Sequence, residues 1–187
     1  MIETIISNNC VGGAVLHELG MEFKTPTINL QILPEEFREF CSNLRYYMDV
    51  ELKEYPRNEL SERHRIMLTK MFGGVPEIPF GRLDHILVCF QHYETFEEAA
   101  AKWNERKARI DYEHIGYIFH ARGPEYAKET EEFIREEIPH SLVITERFVL
   151  NGSIALYPKE GDNAFSAVNG KLLILQAADW KMWRTRR

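Results

Sequence analysis

The sequence has few cysteines and no long apolar run. Cys10, Cys41 and Cys89 are its only cysteines, and an odd number of widely spaced cysteines favours free thiols in a reducing compartment over a disulfide framework. No apolar stretch approaches the roughly 20 residues that a membrane-spanning helix needs. No basic start followed by an apolar run indicates a signal peptide. We therefore expect a cytoplasmic protein without a transmembrane segment.

Basic residues are outnumbered by acidic ones. The 187 residues carry a net charge of −6 at pH 7, which argues against nucleic-acid binding, because that function needs a basic face that displaces counterions. The exception is residues 180–187, where basic and aromatic residues alternate. This segment predicts either a solubilising tail held down by two tryptophans or a weak peripheral contact with anionic membrane lipid.

The common cofactor and catalytic motifs are absent. The sequence contains no Gly-x-Gly-x-x-Gly and no Gly-x-x-x-x-Gly-Lys-Ser/Thr, so neither the usual dinucleotide fingerprint nor a P-loop is present. It also lacks a Gly-x-Ser-x-Gly elbow and an Asp-x-Asp pair. Cys89 and His92 are three residues apart, which puts them on opposite faces of a strand, and no other pair has the spacing of metal ligands. We predict no metal site, and no motif identifies a cofactor.

The apolar pattern predicts an α/β protein. A hydrophobic content of 44% is enough for a core. Strands are predicted at residues 2–6, 27–33, 84–91, 116–120 and 141–145, and helices begin at Gly12, Pro34, Ser61, Thr95 and Pro124. Residues 84–91 are apolar on both faces, so we expect a strand in the middle of a parallel sheet. The alternation of strands and helices predicts a three-layer α/β/α sheet that is mostly parallel.

The pattern is harder to interpret at residues 49–80 and changes after residue 147. In the first region Val50, Glu51 and Leu52 are a candidate strand. In the second, Asn151-Gly152 and Asn169-Gly170 each separate two apolar runs, which is typical of β-hairpins. We predict that residues 1–147 form the α/β domain and that residues 148–187 form an antiparallel strand meander, a β-hairpin extension of the same domain.

Four polar clusters follow predicted strands. Ligands of open α/β sheets bind beyond the carboxyl ends of the strands, so these clusters mark the candidate site. The clusters are Ser7 to Cys10 after the first strand, His92 and Tyr93 after the central strand, His120 to Gly123 after the next, and Thr145 to Arg147 after the fifth. Together they would supply an anion clamp, a titratable base and a nucleophile.

Each cluster has a functional and a structural interpretation. The candidate catalytic residues are His92 or His120 as a general base and Cys10 as a nucleophile activated by a helix N-terminus. The candidate ligand-binding residues, for phosphate or sugar hydroxyls, are Ser7, Asn8, Asn9, Gly12, Gly13, Tyr93 and Arg122. In the structural interpretation Asn8 and Asn9 close a turn and cap the next helix, the histidines only pack or form hydrogen bonds, and Cys10 is inert.

Four segments are informative together: Ile5-Ile6-Ser7-Asn8-Asn9-Cys10-x-Gly12-Gly13; Thr25-Pro26-Thr27 leading to Pro34-Glu35-Glu36-Phe37; Pro79-Phe80-Gly81-Arg82-Leu83-Asp84; and the run from Phe90 to Ile110. They resemble segments of an uncharacterised bacterial family that is often labelled exopolysaccharide biosynthesis protein. The resemblance covers roughly residues 2–145. It implies a Rossmann-like α/β/α fold and a link to capsule or exopolysaccharide assembly, but no established catalytic set.

The sequence departs from that family at two places. His85 stands where a second acid often follows Asp84, and residues 120–123 replace a more acidic segment. Both changes argue against a mechanism that needs carboxylates or a metal there. We therefore expect a cytosolic transferase that acts on a sugar or sugar phosphate in exopolysaccharide or capsule biosynthesis. The alternatives are a non-catalytic accessory protein that binds a glycan precursor or a partner enzyme, and a hydrolase or acyltransferase that uses Cys10.

Overall fold

The computed structural model describes residues 1–185. In this part of the chain the strands are β1 (Thr4–Ser7), β2 (Gln31–Ile32), β3 (Lys53–Glu54), β4 (Phe80–Leu83), β5 (Ile86–Cys89), β6 (Ile115–Ala121), β7 (Ser141–Glu146), β8 (Ser153–Leu156), β9 (Ala167–Val168) and β10 (Lys171–Leu172). The α-helices are α1 (Val11–Glu18), α2 (Pro34–Ser42), α3 (Leu44–Asp49), α4 (Glu62–Phe72), α5 (Phe96–Lys107), α6 (Ala127–Arg135) and α7 (Trp180–Thr185).

One sheet, which we call sheet A, is parallel. Its strand order is β1-β6-β7-β8, and each of its three pairings is parallel. The register sets Thr4 opposite Ile115, Tyr117 opposite Ser141, and Val143 opposite Ser153. Because parallel strands need long crossovers, the chain between β1 and β6 holds a second sheet and five helices. The predicted α/β class is confirmed at this level.

Both faces of sheet A are buried. Phe119 of β6 packs against Phe37 and Phe133 on one face, with ring centroids 6.0 and 4.8 Å away. The neighbouring Ile118 points to the other face, where it joins the apolar cluster of Val15 and Trp183. Burial on both faces is why the strands of a parallel sheet read as nearly continuous apolar runs.

The second sheet, sheet B, is antiparallel and has the order β2-β5-β4-β3. The prediction of a parallel central strand at residues 84–91 is therefore wrong in direction. The apolar run arises because β5 is buried on both faces, with Ile86 and Val88 in one cluster and Leu87 and Cys89 in another. Burial on both faces reports a central position in a sheet, and β5 has one, but it does not report strand direction.

The short strands of sheet B differ from their predictions. The second strand is limited to Gln31–Ile32 rather than residues 27–33, and the candidate strand at residues 50–52 is wrong because β3 begins at Lys53. The Ile32 N–H donates to the Asn8 carbonyl at 2.9 Å. This bond joins sheet B to sheet A at the point where β1 ends.

Three helices begin where their capping signals predict, but the helix predicted at Pro124 does not, because Pro124–Tyr126 form a 3-10 turn and α6 begins at Ala127. Pro34 occupies the first turn of α2, where its missing N–H is no loss. The Ser61 hydroxyl accepts from His64 N at the start of α4, and the Thr95 hydroxyl accepts from Glu98 N at the start of α5, both at 3.2 Å. Gly20 follows α1 with φ +62° and ends it.

The C-terminal region holds one hairpin rather than a meander. Asn169 and Gly170, with φ of +53° and +78°, join β9 to β10 in the predicted hairpin. The hairpin predicted at Asn151-Gly152 is wrong, because residues 147–152 carry the chain back along β7 and β8 then runs parallel to it. The chain then continues through a 3-10 helix (Leu173–Gln176) into α7.

Helix α7 packs against the start of sheet A. Trp180 and Trp183 are buried, as predicted for the tail. A Cβ atom on Gly116 would lie 2.7 Å from the Trp183 ring, so the close approach requires glycine. Arg184 accepts from Ile2 N at 2.8 Å through its carbonyl and contacts Glu3 through its guanidinium. Arg186 and Arg187, the last basic residues of the predicted tail, lie outside the described residues.

No helix within residues 1–185 has the length and apolar character required to span a membrane.

Candidate functional site

Three of the four predicted clusters lie at one edge of sheet A. Strands β1, β6 and β7 are adjacent and parallel, so residues 7–10, 120–123 and 145–147 meet at their carboxyl ends. The fourth cluster, His92 and Tyr93, follows β5 of sheet B. The site is therefore built mainly from sheet A, which is where the general rule for α/β sheets puts it.

Asn8 ties β1 to β6 beyond the last residue of β1. Its side-chain amide donates to the His120 carbonyl at 3.0 Å, and its side-chain oxygen accepts from His120 N at 2.9 Å. Asn8 is fully buried, so both bonds form away from water. The Asn8 side chain thus forms with β6 the two hydrogen bonds that the main chain of a neighbouring strand would otherwise form. It does not cap α1, in contrast to one of the two roles predicted for it.

Ser7 and Asn9 organise the turn before α1. The Ser7 hydroxyl donates to the Asn9 carbonyl at 2.7 Å and accepts from Gly12 N at 3.1 Å, while Asn9 Oδ1 accepts from Val11 N at 3.1 Å. The first free N–H groups of α1 are thereby satisfied. The turn-closing role predicted for Asn9 is confirmed, and Ser7 shares it, while the N-cap residue of α1 is Cys10 and makes no side-chain cap. Their roles in ligand binding stay predictions.

The two glycines after this turn have different surroundings. A Cβ atom on Gly12 would lie 2.4 Å from the Ser7 hydroxyl oxygen, so the helix start and the end of β1 approach too closely for any side chain. A Cβ atom on Gly13 would lie 3.5 Å from the Ile28 side chain, which is ordinary van der Waals contact. Gly12 is therefore required by packing, whereas Gly13 is not.

His120 is buried and its ring is oriented from both sides. Asn9 Nδ2 lies 2.9 Å from His120 Nδ1. Because Asn9 Oδ1 already accepts from Val11 N, the amide nitrogen faces the ring and Nδ1 accepts its hydrogen. The proton of the neutral ring then lies on Nε2, which is 3.0 Å from Glu146 Oε1 but lacks the alignment of a hydrogen bond.

Electrostatics keep this histidine neutral. Burial lowers the pKa of His120, the Glu146 carboxylate opposes that change, and the Arg122 guanidinium adds a smaller decrease in pKa. The net effect is a pKa below the ordinary value of 6.5. Nδ1 accepts from Asn9 and Nε2 carries the ring proton, so the ring has no free lone pair, and the adjacent Glu146 carboxylate is the group able to accept a proton.

Arg147 connects Glu146 to a later part of the chain. Its Nη1 lies 3.4 Å from Glu146 Oε2, and its Nη2 donates to the Asp162 carbonyl at 2.6 Å. The Phe165 ring meets His120 edge-on, with 5.9 Å between the ring centroids. Asn9, His120, Glu146 and Arg147 thus form one continuous series of polar contacts, which we call the polar row.

Cys10 and Arg122 are the parts of the site that reach the surface. Cys10 is half-buried, and its Sγ lies 3.7 Å from Gln91 Oε1. Burial raises the pKa of the thiol, and the Arg122 guanidinium opposes this. Arg122 is also half-buried. Within residues 1–185 its guanidinium forms neither a hydrogen bond nor an ion pair, so a cation is free to meet an anionic ligand.

His92 and Tyr93 are placed differently from each other. His92 is exposed, and no hydrogen bond or ion pair holds its ring in the described part of the chain. The Tyr93 hydroxyl accepts from Arg106 Nη1 at 2.8 Å and lies 3.4 Å from the Ile28 carbonyl. Tyr93 therefore has protein partners, whereas the His92 ring has none within residues 1–185.

Three residues complete the site but do not follow a strand of sheet A, and the sequence pattern did not single them out. Gln91, beside Cys10, lies next to the predicted His92 and could have been included on position alone. Asp162 and Phe165 come from a loop with no periodic pattern, so no signal pointed to them. Their contribution depends on how the C-terminal region folds back over sheet A.

A cavity lies at the opposite end of sheet A. It has a volume of about 510 Å³ and is bordered by Cys41, Tyr117 and His140, near the amino ends of β6 and β7. Its acidic residues already have partners, since Glu136 pairs with Arg38. No group of three or more His, Cys, Asp or Glu residues within residues 1–185 is arranged to hold a metal ion.

The fold and this geometry define an α/β protein with a polar site at the carboxyl edge of a parallel sheet. A family model described as "Domain of unknown function (DUF1919)" matches residues 2–149, and the chain belongs to this family. The matched region contains the three strand-end clusters of sheet A and stops before β8.

A similar protein from Haemophilus influenzae, described as an uncharacterized protein, is 26% identical over 144 residues. The match covers 77% of this chain and 62% of that protein. The chain therefore spans less than two thirds of the length of this relative.

Proposed function

We propose that the protein is a cytoplasmic transferase that acts on a sugar or sugar phosphate, in exopolysaccharide or capsule biosynthesis. The observation that carries this proposal is the half-buried guanidinium of Arg122 at the carboxyl edge of sheet A, which has no hydrogen-bond or ion-pair partner within residues 1–185. A cation that is partly removed from water without a partner gains most from a phosphate, to which arginine donates two parallel hydrogen bonds. The biosynthetic context rests on the family resemblance.

The neighbours of Arg122 suit the rest of such a ligand. Cys10 and Gln91 offer a thiol and an amide within the same edge, and both are half-buried. Amide groups donate to and accept from sugar hydroxyls. The α1 N-terminus lies directly after Cys10 and favours negative charge. A phosphorylated, hydroxyl-rich molecule therefore matches the groups that remain accessible.

Proton transfer in this proposal belongs to the polar row. His120 is neutral and oriented by Asn9, and Glu146 lies beside its Nε2. The Glu146 carboxylate would accept the proton of an attacking hydroxyl, because Nδ1 of His120 is occupied by the Asn9 amide and Nε2 carries the ring proton; this is general-base catalysis. His92 is the second candidate base, but no contact within residues 1–185 orients its ring. We also infer a Rossmann-like three-layer arrangement, which is supported by the apolar clusters on both faces of sheet A.

The test is a thermal-shift screen of the purified protein against sugar phosphates, nucleotide sugars and acyl-CoAs. A ligand at a hundred times its Kd adds about 2.7 kcal/mol to the free energy of unfolding. We expect a hit among phosphorylated sugars that is lost in Arg122→Gln. The matched control is Arg135→Gln on α6, whose side chain is exposed and whose loss should leave the shift unchanged. A screen without a hit contradicts the proposal.

A second candidate function is a non-catalytic accessory protein that binds a glycan precursor or a partner enzyme. The specific observation in its favour is that His120 is only 1% exposed, so the candidate base does not meet solvent. The two functions differ in the behaviour of His120→Gln. A transferase loses turnover and keeps ligand binding, whereas an accessory protein has no turnover to lose.

A further inference from the structure

A short segment of the chain lies beside the polar row and is attached to it through Arg147. Residues 157–162, which we call the cover, connect the end of β8 to the buried Ala164. The cover contains no helix or strand, and Gly161 within it has φ +83°. Tyr157 at its start is 65% exposed. Such a segment has few interactions of its own to keep it in place.

Arg147 supplies the polar attachment of the cover. Its Nη2 donates to the Asp162 carbonyl at 2.6 Å and lies 3.5 Å from the Lys159 carbonyl. Within residues 1–185, these are the hydrogen bonds that join residues 157–162 to other parts of the chain. The Arg147 side chain therefore provides the hydrogen bonds that hold the cover in place.

Both ends of the cover are fixed. Leu156 accepts from Arg147 N at 2.8 Å, and the Ala164 carbonyl accepts from Ile174 N at 2.7 Å. Beyond Ala164, Phe165 is held by its N–H bond to Asn163 Oδ1 at 2.8 Å. Phe165 is consequently a fixed wall beside His120, and movement is confined to the residues between the two anchors.

Arg147 also contacts Glu146, the acidic residue of the polar row. Arg147 Nη1 lies 3.4 Å from Glu146 Oε2, and Glu146 is 1% exposed. Arg147 itself adopts φ +64°, a left-handed conformation that is uncommon for a large residue and that aims its side chain across Glu146 to the cover. Its own side chain is 43% exposed, so a ligand from solvent can reach it.

We propose that Arg147 is a ligand-operated latch: an anionic ligand takes over its guanidinium, the cover is released, and His120 and Glu146 become accessible. This inference rests on the proposed function, in which the ligand carries a phosphate. Phosphate accepts two parallel hydrogen bonds from a guanidinium and carries a full negative charge, whereas each main-chain carbonyl is neutral, so phosphate oxygens compete well against the two carbonyls. Binding of the anionic ligand would then expose the buried groups that the proposed reaction uses.

The experiment follows exchange of the His120 ring C2 hydrogen for deuterium by mass spectrometry, which reports access of solvent to that ring. We expect exchange to be about tenfold faster in Arg147→Ala, because a hydrogen bond to a charged group contributes about that factor to the closed state. Inorganic phosphate, compared with chloride at equal ionic strength, should accelerate exchange in the wild type and leave Arg147→Ala unchanged.

Two further variants keep the test decisive. Arg147→Lys retains a cation beside Glu146 but cannot span the carboxylate and both carbonyls, so it should exchange faster than the wild type even if Arg147→Ala fails to fold. Arg135→Ala is the control and should match the wild type. His120 exchange at the wild-type rate in folded Arg147→Lys overturns the latch, and so does a wild type that does not respond to phosphate.

No turnover is needed for this measurement, so its failure is distinct from that of the proposed function. If the latch is wrong, sugar phosphates still bind through Arg122 in the thermal-shift screen without any change in His120 exchange. If the proposed function is wrong, the screen shows no hit even where Arg147 variants open the cover.

Discussion

Asn8 and His120 are 112 positions apart in the chain and exchange two hydrogen bonds, with the Asn8 amide pairing with both main-chain groups of His120. The pair holds the ends of β1 and β6 together beyond the regular register. It also fixes the backbone that carries the candidate base. The stability of sheet A and the geometry of the site therefore depend on the same amide.

Asn8→Ala should be strongly destabilising. The substitution leaves a buried N–H and a buried carbonyl of His120 without partners, and each such group costs about 1–3 kcal/mol. We expect the free energy of unfolding, measured by urea denaturation, to fall by about 3 kcal/mol. Asn104→Ala on the exposed face of α5 is the control, and it should change stability by less than about 0.5 kcal/mol. Equal effects of the two variants would contradict this role of Asn8.

The adjacent glycines of α1 should respond to alanine with opposite signs. In Gly12→Ala the new methyl group would lie 2.4 Å from the Ser7 hydroxyl oxygen, so we expect a loss of about 1–3 kcal/mol. In Gly13→Ala the methyl group has room beside Ile28, and alanine in a helix is favoured over glycine by about 0.5–1 kcal/mol. Thermal unfolding of the two variants checks this. A Gly12→Ala protein as stable as Gly13→Ala would refute the close approach.

Stability should decrease with acidification through His120. In the unfolded chain its pKa is near 6.5, and burial lowers the pKa in the folded protein. Below pH 6.5 the unfolded state therefore binds more protons than the folded state, so the free energy of unfolding falls as pH falls, by at most about 1.4 kcal/mol per pH unit. The loss ends once the folded-state pKa is passed.

The contribution of His120 is isolated by comparing how the free energy of unfolding depends on pH in two variants. His120→Gln should flatten the profile between pH 6.5 and the folded-state pKa, whereas His92→Gln, at an exposed position, should keep it. Chemical denaturation at a series of pH values gives the profiles. A His120→Gln profile that runs parallel to the wild type would show that His120 is not kept neutral by burial.

Alkylation should select Cys10 among the three cysteines, but slowly. Cys10 is half-buried with a raised pKa, while burial raises the pKa of Cys41 and Cys89 well above that of a free thiol. Mass spectrometry after iodoacetamide treatment should find Cys10 labelled first, at a rate below that of a small free thiol. Rapid labelling of Cys10 would instead favour the hydrolase or acyltransferase with a Cys10 nucleophile.

A second variant in the same alkylation experiment tests the effect of the Arg122 guanidinium on the Cys10 thiol. It lowers the pKa of the Cys10 thiol, so Arg122→Gln should slow Cys10 labelling further because less thiolate is present. Arg135→Gln should leave the rate unchanged. If Arg122→Gln does not alter the rate, the electrostatic contact between Arg122 and Cys10 is wrong.

The sequence predicts much of sheet A because its strands have clear ends. Ile5 and Ile6 run into a polar turn, and the buried runs of β6 and β7 end at Ala121 and Glu146. The direction of β5 was not predictable in the same way. Strands β4 and β5 are joined by the two-residue turn Asp84-His85, which lacks the glycine that marks most tight hairpins. Asp84 takes φ +56° there, and packing compensates for a turn that local preference does not indicate.

The candidate site is predictable only as a set of strand ends. That Ser7, Asn9 and His120 lie close together follows from parallel pairing. The contact between His120 and Glu146 depends on the register of β6 and β7, which places Ala121 opposite Thr145 and has no local signal. Phe165 enters from a loop that is distant in sequence and without pattern, so its position depends on tertiary packing alone.

The pairing of β1 with β6 also imposes an order on folding. During synthesis β1 is made first, but Thr4 finds its partner only when Ile115 has been made. Until then β1 has no strand beside it in sheet A, and pairing across so long a separation is slow because the loop must close first. The antiparallel β4–β5 hairpin needs no such closure. The β4–β5 hairpin, not β1, is accordingly the part that can form early, and the site is completed only after β6 has been made.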